Sequence, residues 1–281
     1  MASIVGVGIG GAVGLYEDLV RCNLGTLTAV DFDSVDESNL TTQGFEKSDV
    51  GIPKTYALGK RIRGINPALN YKPITGDFLK LSESEIEELV RPADLLMFMT
   101  DDFHAQARGN LVALKFQIPA LFAIVYERAR CAEITFIIPG VTPACHRCAV
   151  SPRYKEYKDG YKNIVKQQSS TIFQTHYLNS CLGLLALAIL HRNTKGLEFS
   201  NWFGDSWRKN LIQLRMHPSY GTNERSIFRR NFESSPNVFT FDAVWQNIEP
   251  EAPPKYEACP DCGGTGDLTA ISPIFDTMPK L

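Results

Sequence analysis

The chain has no block of one-signed charge and no basic face. Its 29 Lys and Arg nearly balance 31 Asp and Glu, for a net charge of −2. That balance leaves no electrostatic footprint for nucleic acid or an anionic membrane surface. No basic segment followed by an apolar run opens the sequence, so no signal peptide is read. The most apolar stretch, 178–190, falls short of the ~20 residues of a bilayer crossing and reads as a buried core helix. No internal repeat and no low-complexity tract occur. Cysteine is sparse and odd in number, at seven in 281 residues. Without an export signal this argues against a disulfide framework and for a reducing, cytoplasmic setting. Three of the seven, Cys22, Cys131 and Cys181, read as small buried hydrophobes.

The other four cysteines form two CxxC pairs, Cys145-His-Arg-Cys148 and Cys259-Pro-Asp-Cys262. A two-residue gap lets both sulfurs of a knuckle face one metal, and two knuckles complete a tetrahedron for Zn²⁺. A Cys₄ set leaves zinc no open position, so the site is expected to be structural. The pairs are too far apart for a zinc finger. The metal would tie the middle of the chain to its far end.

The N-terminal half alternates short apolar runs with helical spacing. Ile4-Val5-Gly6-Val7 reads as a buried strand running into Gly8-Ile9-Gly10-Gly11-Ala12-Val13-Gly14. A helix over 12–22 follows, stopped at Asn23-Leu24-Gly25, and a strand over 27–30 ends in Asp31-Phe32-Asp33. Strand, glycine turn, helix, strand, acid is a nucleotide-binding layout. In it Gly8, Gly10 and Gly11 cradle phosphate, and Asp31 and Asp33 are placed for ribose hydroxyls. Further helices are predicted over 53–65, from 82 to 90 behind a capping-box pattern, and over 104–116. Further strands are predicted over 71–74, 94–100, 121–125 and 131–138. The stretch 151–176, with Lys155, Lys158, Lys162 and Lys166, reads as a long connection without regular structure. The apolar helix follows from 178, then a strand pair over 202–216 and an irregular, proline-containing stretch over 219–258. The expected fold is α/β and Rossmann-like. It has a largely parallel sheet with helices on both faces, an antiparallel C-terminal extension and a Cys₄ zinc knuckle. The expected parts are a nucleotide-binding core over 1–150, a crossover loop over 151–176 and a C-terminal remainder of the same domain over 177–281.

One ordered series is more specific than any single motif. After Asp33 come Asn39-Leu40-Thr41-Thr42-Gln43, Asp49-Val50-Gly51-Ile52-Pro53-Lys54 and Ile65-Asn66-Pro67. Then follow a strand ending in Thr100-Asp101-Asp102, Pro139-Gly140-Val141-Thr142-Pro143-Ala144-Cys145, and the distant second CxxC. The series resembles the ThiF/MoeB family of ubiquitin-activating-type adenylyltransferases over 4–216 and again over 255–264. The resemblance implies ATP- and Mg²⁺-dependent adenylation of the C-terminal glycine carboxylate of a ubiquitin-like or sulfur-carrier protein, with release of pyrophosphate. It implies that Lys54 neutralises phosphate charge, that Asp101 holds Mg²⁺, and that Asn39 and Gln43 are polar anchors near the nucleotide. It also implies a homodimer, or a part of a larger multidomain protein.

The sequence departs from the family pattern in places. Thr42 stands where the family has Arg, Asp102 where it commonly has Asn, and Val13 where it has the last glycine of the turn. The family's N-terminal helix, which supplies an arginine, has no counterpart here. Arg61, Arg63 and Arg108 are the candidate replacement cations. Residues 149–180 hold no cysteine for a thioester, and Cys181 is read as opening the apolar helix. Adenylation without a stable enzyme thioester is therefore the preferred expectation. A degenerate, partner-binding scaffold is the alternative, and a nicotinamide dehydrogenase a third reading that Lys54 and the split cysteines disfavour.

Overall fold

A computed structural model describes residues 1–126, 129–160, 171–202, 207, 209–217, 242–246 and 259–262. Among these, eight strands form one sheet in the order β3-β2-β1-β4-β5-β6-β7-β8. The strands are β1 Ser3–Val7, β2 Thr26–Asp31, β3 Asn70–Thr75, β4 Leu95–Phe98, β5 Ala120–Val125, β6 Cys131–Ile137, β7 Leu211–Arg215 and β8 Asp242–Gln246. The first five are mutually parallel, and β6, β7 and β8 each pair antiparallel to the strand before. The expected parallel core with an antiparallel extension is the observed one.

Among the described residues, seven α-helices accompany the sheet: α1 Val13–Arg21, α2 Lys54–Ile65, α3 Glu83–Val90, α4 Phe103–Phe116, α5 His146–Ala149, α6 Ser151–Lys158 and α7 Ile172–His191. Strand side chains alternate between faces, and the core divides accordingly. Ile4, Leu27, Met97 and Leu121 pack with Leu15, Leu58 and Leu185 from α1, α2 and α7. Val5, Val30, Leu96, Phe98 and Phe122 pack on the opposite face with Ile86, Leu111 and Leu114 from α3 and α4. Both faces are covered, which is why β4 and β5 are apolar throughout, whereas β3, at one end of the strand order, is not. The chain leaves β1 for β2 and β3 on one side, then crosses to β4 and β5 on the other. The reversal between β1 and β4 opens a crevice at the C-terminal strand ends, the place where open α/β sheets bind ligands.

Several elements differ from the sequence reading. The connection 151–176 is helical at both ends. α6 begins with Pro152 in its first turn and buries Tyr154 against Phe103, 4.8 Å between ring centroids. Lys162 and Lys166 lie outside the described residues. α7 starts at Ile172, six residues before the apolar run, because Thr171 and Gln174 form a capping box. At 20 residues it is long and apolar enough to cross a membrane, yet one face packs on α1 through Leu178, Leu182, Leu185 and Ile189. Within 202–216 one strand, β7, is described. Its partner β8 arises inside the proline-containing stretch read as irregular, where backbone pairing to β7 outweighs local composition. Cys131 is buried as expected, but Cys22 is exposed as the C-cap of α1, followed by Asn23 in the left-handed region at φ 65°.

Candidate functional site

The glycine turn leaves β1 at the crevice. Gly8 has φ 85°, its N–H donates to Val30 O at 2.9 Å, and a Cβ there would lie 2.5 Å from Met99 O. Only glycine fits between β1 and the end of β4. Gly10 faces the side-chain amide of Gln43, whose buried Oε1 has no protein partner. The carbonyl of Gly11 accepts from Asn179 Nδ2 at 2.9 Å, and Gly14 faces His176 and Asn179. α7 therefore backs the turn. Asn179 lies 168 residues from Gly11 in an apolar helix, and no local motif marks it.

Asp31 and Asp33 occupy different environments. The Asp31 carboxylate accepts from Ile9 N at 2.8 Å and Asp33 N at 2.9 Å, tying the end of β2 to the turn. Burial pushes its carboxyl up, against the pull of those N–H groups and of Lys54. Asp33 is about half exposed, and its carboxylate pairs with Lys54 Nζ at 2.9 Å. Lys54 is the first residue of α2, with its side chain 8% exposed and its N–H on Asp33 O. The ammonium and the positive end of a 12-residue helix thus coincide, and both favour an anion there. Asn39 turns its Oδ1 to Asp36 N at 2.9 Å, closing a short helical turn in front of Gln43.

Asp101 is exposed just past β4. Asp102 is the N-cap of α4, its Oδ1 accepting from His104 N at 2.7 Å and Ala105 N at 3.0 Å. Asparagine caps as well as aspartate, so either residue suits this position. Asp102→Ala is expected to cost about 1 kcal/mol, a fall of roughly 2–4 °C in Tm by calorimetry, whereas Asp102→Asn is expected to be neutral.

The three candidate replacement cations are committed elsewhere or distant. Arg108 is fully buried and donates to Phe78 O and Leu81 O, both at 2.5 Å, pinning the loop before α3. Arg61 pairs with Glu17 and Glu46. Arg61 and Arg63 stand two to three turns along α2, roughly 10–14 Å from Lys54 along the axis. Cys181 lies in the middle of α7 rather than at its start, so no helix terminus acts on it. Burial pushes its thiol up, opposed by a hydrogen bond from Tyr177.

The two knuckles meet as expected. Cys145, Cys148, Cys259 and Cys262 are buried with all sulfurs within 4.8 Å of one another, a group that could hold a metal ion. Neighbouring sulfurs are 3.6–3.8 Å apart. A tetrahedron with Zn–S bonds of ~2.3 Å has edges of ~3.8 Å, which these three sulfur pairs match, so the donor set suits zinc. Asn110 of α4 sews the knuckles together. Its Nδ2 donates to Asp261 Oδ2 at 2.7 Å and approaches Cys145 Sγ at 3.7 Å, while its Oδ1 accepts from His146 N at 3.0 Å. Arg147 Nη1 donates to the other Asp261 oxygen at 2.8 Å, offsetting a buried charge. Asn110, Arg147 and Asp261 were not singled out from sequence, although two of them lie between the paired cysteines.

The ThiF family model matches residues 2–218. Among curated proteins, ubiquitin-like modifier-activating enzyme 5 of Gallus gallus is 33% identical over 157 residues, 52% of this chain and 39% of its own length. The Drosophila erecta enzyme of the same name is 31% identical over 257 residues, 87% of this chain and 63% of its own length. The first relatives are thus matched over only about two fifths of their length. Among solved structures, E. coli MccB with ATP superposes at TM-score 0.59 with 17% identity, over 88% of this chain and 64% of that one. PaaA superposes at 0.58 with 15% identity, over 77% and 70%. At such identities the likeness is one of fold.

Proposed function

The chain belongs to the ThiF family, and from that premise we propose that it adenylates the C-terminal glycine carboxylate of a ubiquitin-like or sulfur-carrier protein. The observation that supports this reading is that Gly8 follows β1, Asp101 follows β4 and Lys54 pairs with Asp33 beyond β2, so that three separate stretches of sequence lie at the C-terminal ends of adjacent parallel strands. The carboxylate class is supported by relatives named as ubiquitin-like modifier-activating enzymes.

In this reading the turn over Gly8–Gly11 receives the phosphates of ATP on backbone N–H groups, and Asp31 holds the turn in register from behind. Lys54 exchanges its contact with Asp33 for a phosphate oxygen and stabilises charge developing there. A carboxylate oxygen attacks the α-phosphorus. The bond from that phosphorus to the bridging oxygen breaks, and pyrophosphate departs with the electron pair. Asp101 would hold Mg²⁺, which would supply further charge neutralisation on the phosphates. The cysteine cage would hold Zn²⁺ away from this chemistry. Asn110, the eighth residue of α4, stands ~10 Å along the helix from its start beside Asp101.

The test is incorporation of labelled pyrophosphate into ATP, dependent on a small protein ending in glycine. Exchange with that protein, and none with the same protein lacking its last glycine, is the expected result. A second reading, a partner-binding scaffold without turnover, is favoured by Thr42 and by the engagement of Arg61 and Arg108 elsewhere. It predicts partner binding with no calorimetric heat of ATP binding.

A further inference from the structure

We infer that Arg153 is a positioning residue of the nucleotide site, acting through Gln106 on the carbonyl of Thr100; the inference rests on the adenylation reading. Arg153 belongs to α6, and its side chain is only 13% exposed. One nitrogen of its fork donates to Gln106 Oε1 at 3.0 Å. The other donates to Glu133 Oε1 at 2.6 Å and to Tyr126 Oη at 2.8 Å. Glu133, on β6, is 7% exposed, and a carboxylate that buried needs a cation.

The consequence falls on Gln106, which is 1% exposed. With its oxygen claimed by Arg153, its amide nitrogen must point the other way. It donates one hydrogen to Thr100 O at 2.8 Å and the other to Ala123 O at 3.0 Å. These carbonyls lie just beyond the last pair of the β4/β5 ladder, Phe98 with Phe122. Gln106 therefore bridges the two strand ends just where their own pairing ceases. Thr100 precedes Asp101, and its Oγ1 accepts from Asp102 N at 3.1 Å. It follows Met99, whose carbonyl closes on Gly8. Fixing the Thr100 peptide sets both the phosphate turn and the acid opposite it.

Lysine at 153 separates this role from plain stabilisation. It keeps the charge beside Glu133 but lacks the planar fork that orients the amide of Gln106. Three full-length proteins are compared: wild type, Arg153→Lys, and Arg153→Met combined with Glu133→Gln, which leaves no buried charge alone. Native-state hydrogen exchange is read first, without nucleotide. Arg153→Lys is expected to melt close to wild type while the amides of 99–102 exchange about tenfold faster, with β6 and α3 unaltered. Pyrophosphate exchange is read second. Its kcat is expected to fall about tenfold in both variants with KM for ATP held. Unchanged protection at 99–102 in both variants overturns the inference, as does faster exchange spread evenly over β6 and α6. If wild type shows no pyrophosphate exchange, the adenylation reading falls, while the hydrogen-exchange result still decides whether Arg153 acts on Thr100.

Discussion

Asp101→Ala is expected to lower pyrophosphate exchange by a factor of about 10² to 10³ with little change in Tm. The side chain is exposed beyond β4, so its removal leaves no cavity and no buried partner. Its loss would be felt only when a polyphosphate and its cation occupy the crevice. Asp101→Asn keeps the shape but halves the oxygen donors and removes the charge, and is expected to be nearly as inactive. Lys54→Met should match it in activity and likewise cost little stability. It strands Asp33, which at 48% side-chain exposure retains much of its hydration. That penalty is therefore small, below about 1 kcal/mol. Activity of the Asp101 variants within about threefold of wild type, measured at saturating ATP and Mg²⁺, would sink the assignment.

Cys259→Ser is expected to be the most destabilising single change. Three sulfurs remain of a buried cluster that could hold a metal ion with four. Cys259 sits 114 residues from its neighbour Cys145, so the cage ties distant parts of the chain. Losing a structural metal belongs to the small set of changes costing ~4 kcal/mol or more. For a chain of this size that is a fall of about 10 °C in Tm. Metal content by mass spectrometry should fall in parallel, and a chelator should bring the wild type to the same melting point. A variant that keeps its melting temperature and its metal yet loses pyrophosphate exchange would refute a structural role. Asn110→Ala should reproduce part of the effect, because it unfastens Asp261 and the first knuckle together.

The parts legible in the sequence were those with a local signature. Short apolar runs mark β1 and β4 as strands buried on both faces, and Ser82 and Glu85 announce α3 by their capping box. Gly8, Lys54 and Asp101 were legible for a similar reason, since a turn, a helix start and a strand end each leave a mark in neighbouring residues. α6 left none. Its residues SPRYKEYK are polar all round, and what holds it is tertiary, through Tyr154 on Phe103 and Arg153 on Glu133. β8 was hidden likewise, because its pairing with β7 spans residues far apart in the chain. Asn179, Gln106, Asn110 and Asp261 are ordinary polar residues whose meaning comes from partners 17 to 168 positions away. Arg108 shows the converse error. A cation proposed for phosphate is consumed by two backbone carbonyls.

The bond from Asn179 to Gly11 has a bearing on the order in which the protein acquires its parts. A ribosome delivers Asn179 168 residues after Gly11. The nascent chain thus carries an unsupported glycine turn over that whole interval. Contacts of such sequence separation close late and slowly. The turn is laid down well before its backing helix, so a product truncated between the two would retain every glycine of the turn and still lack the helix that holds it.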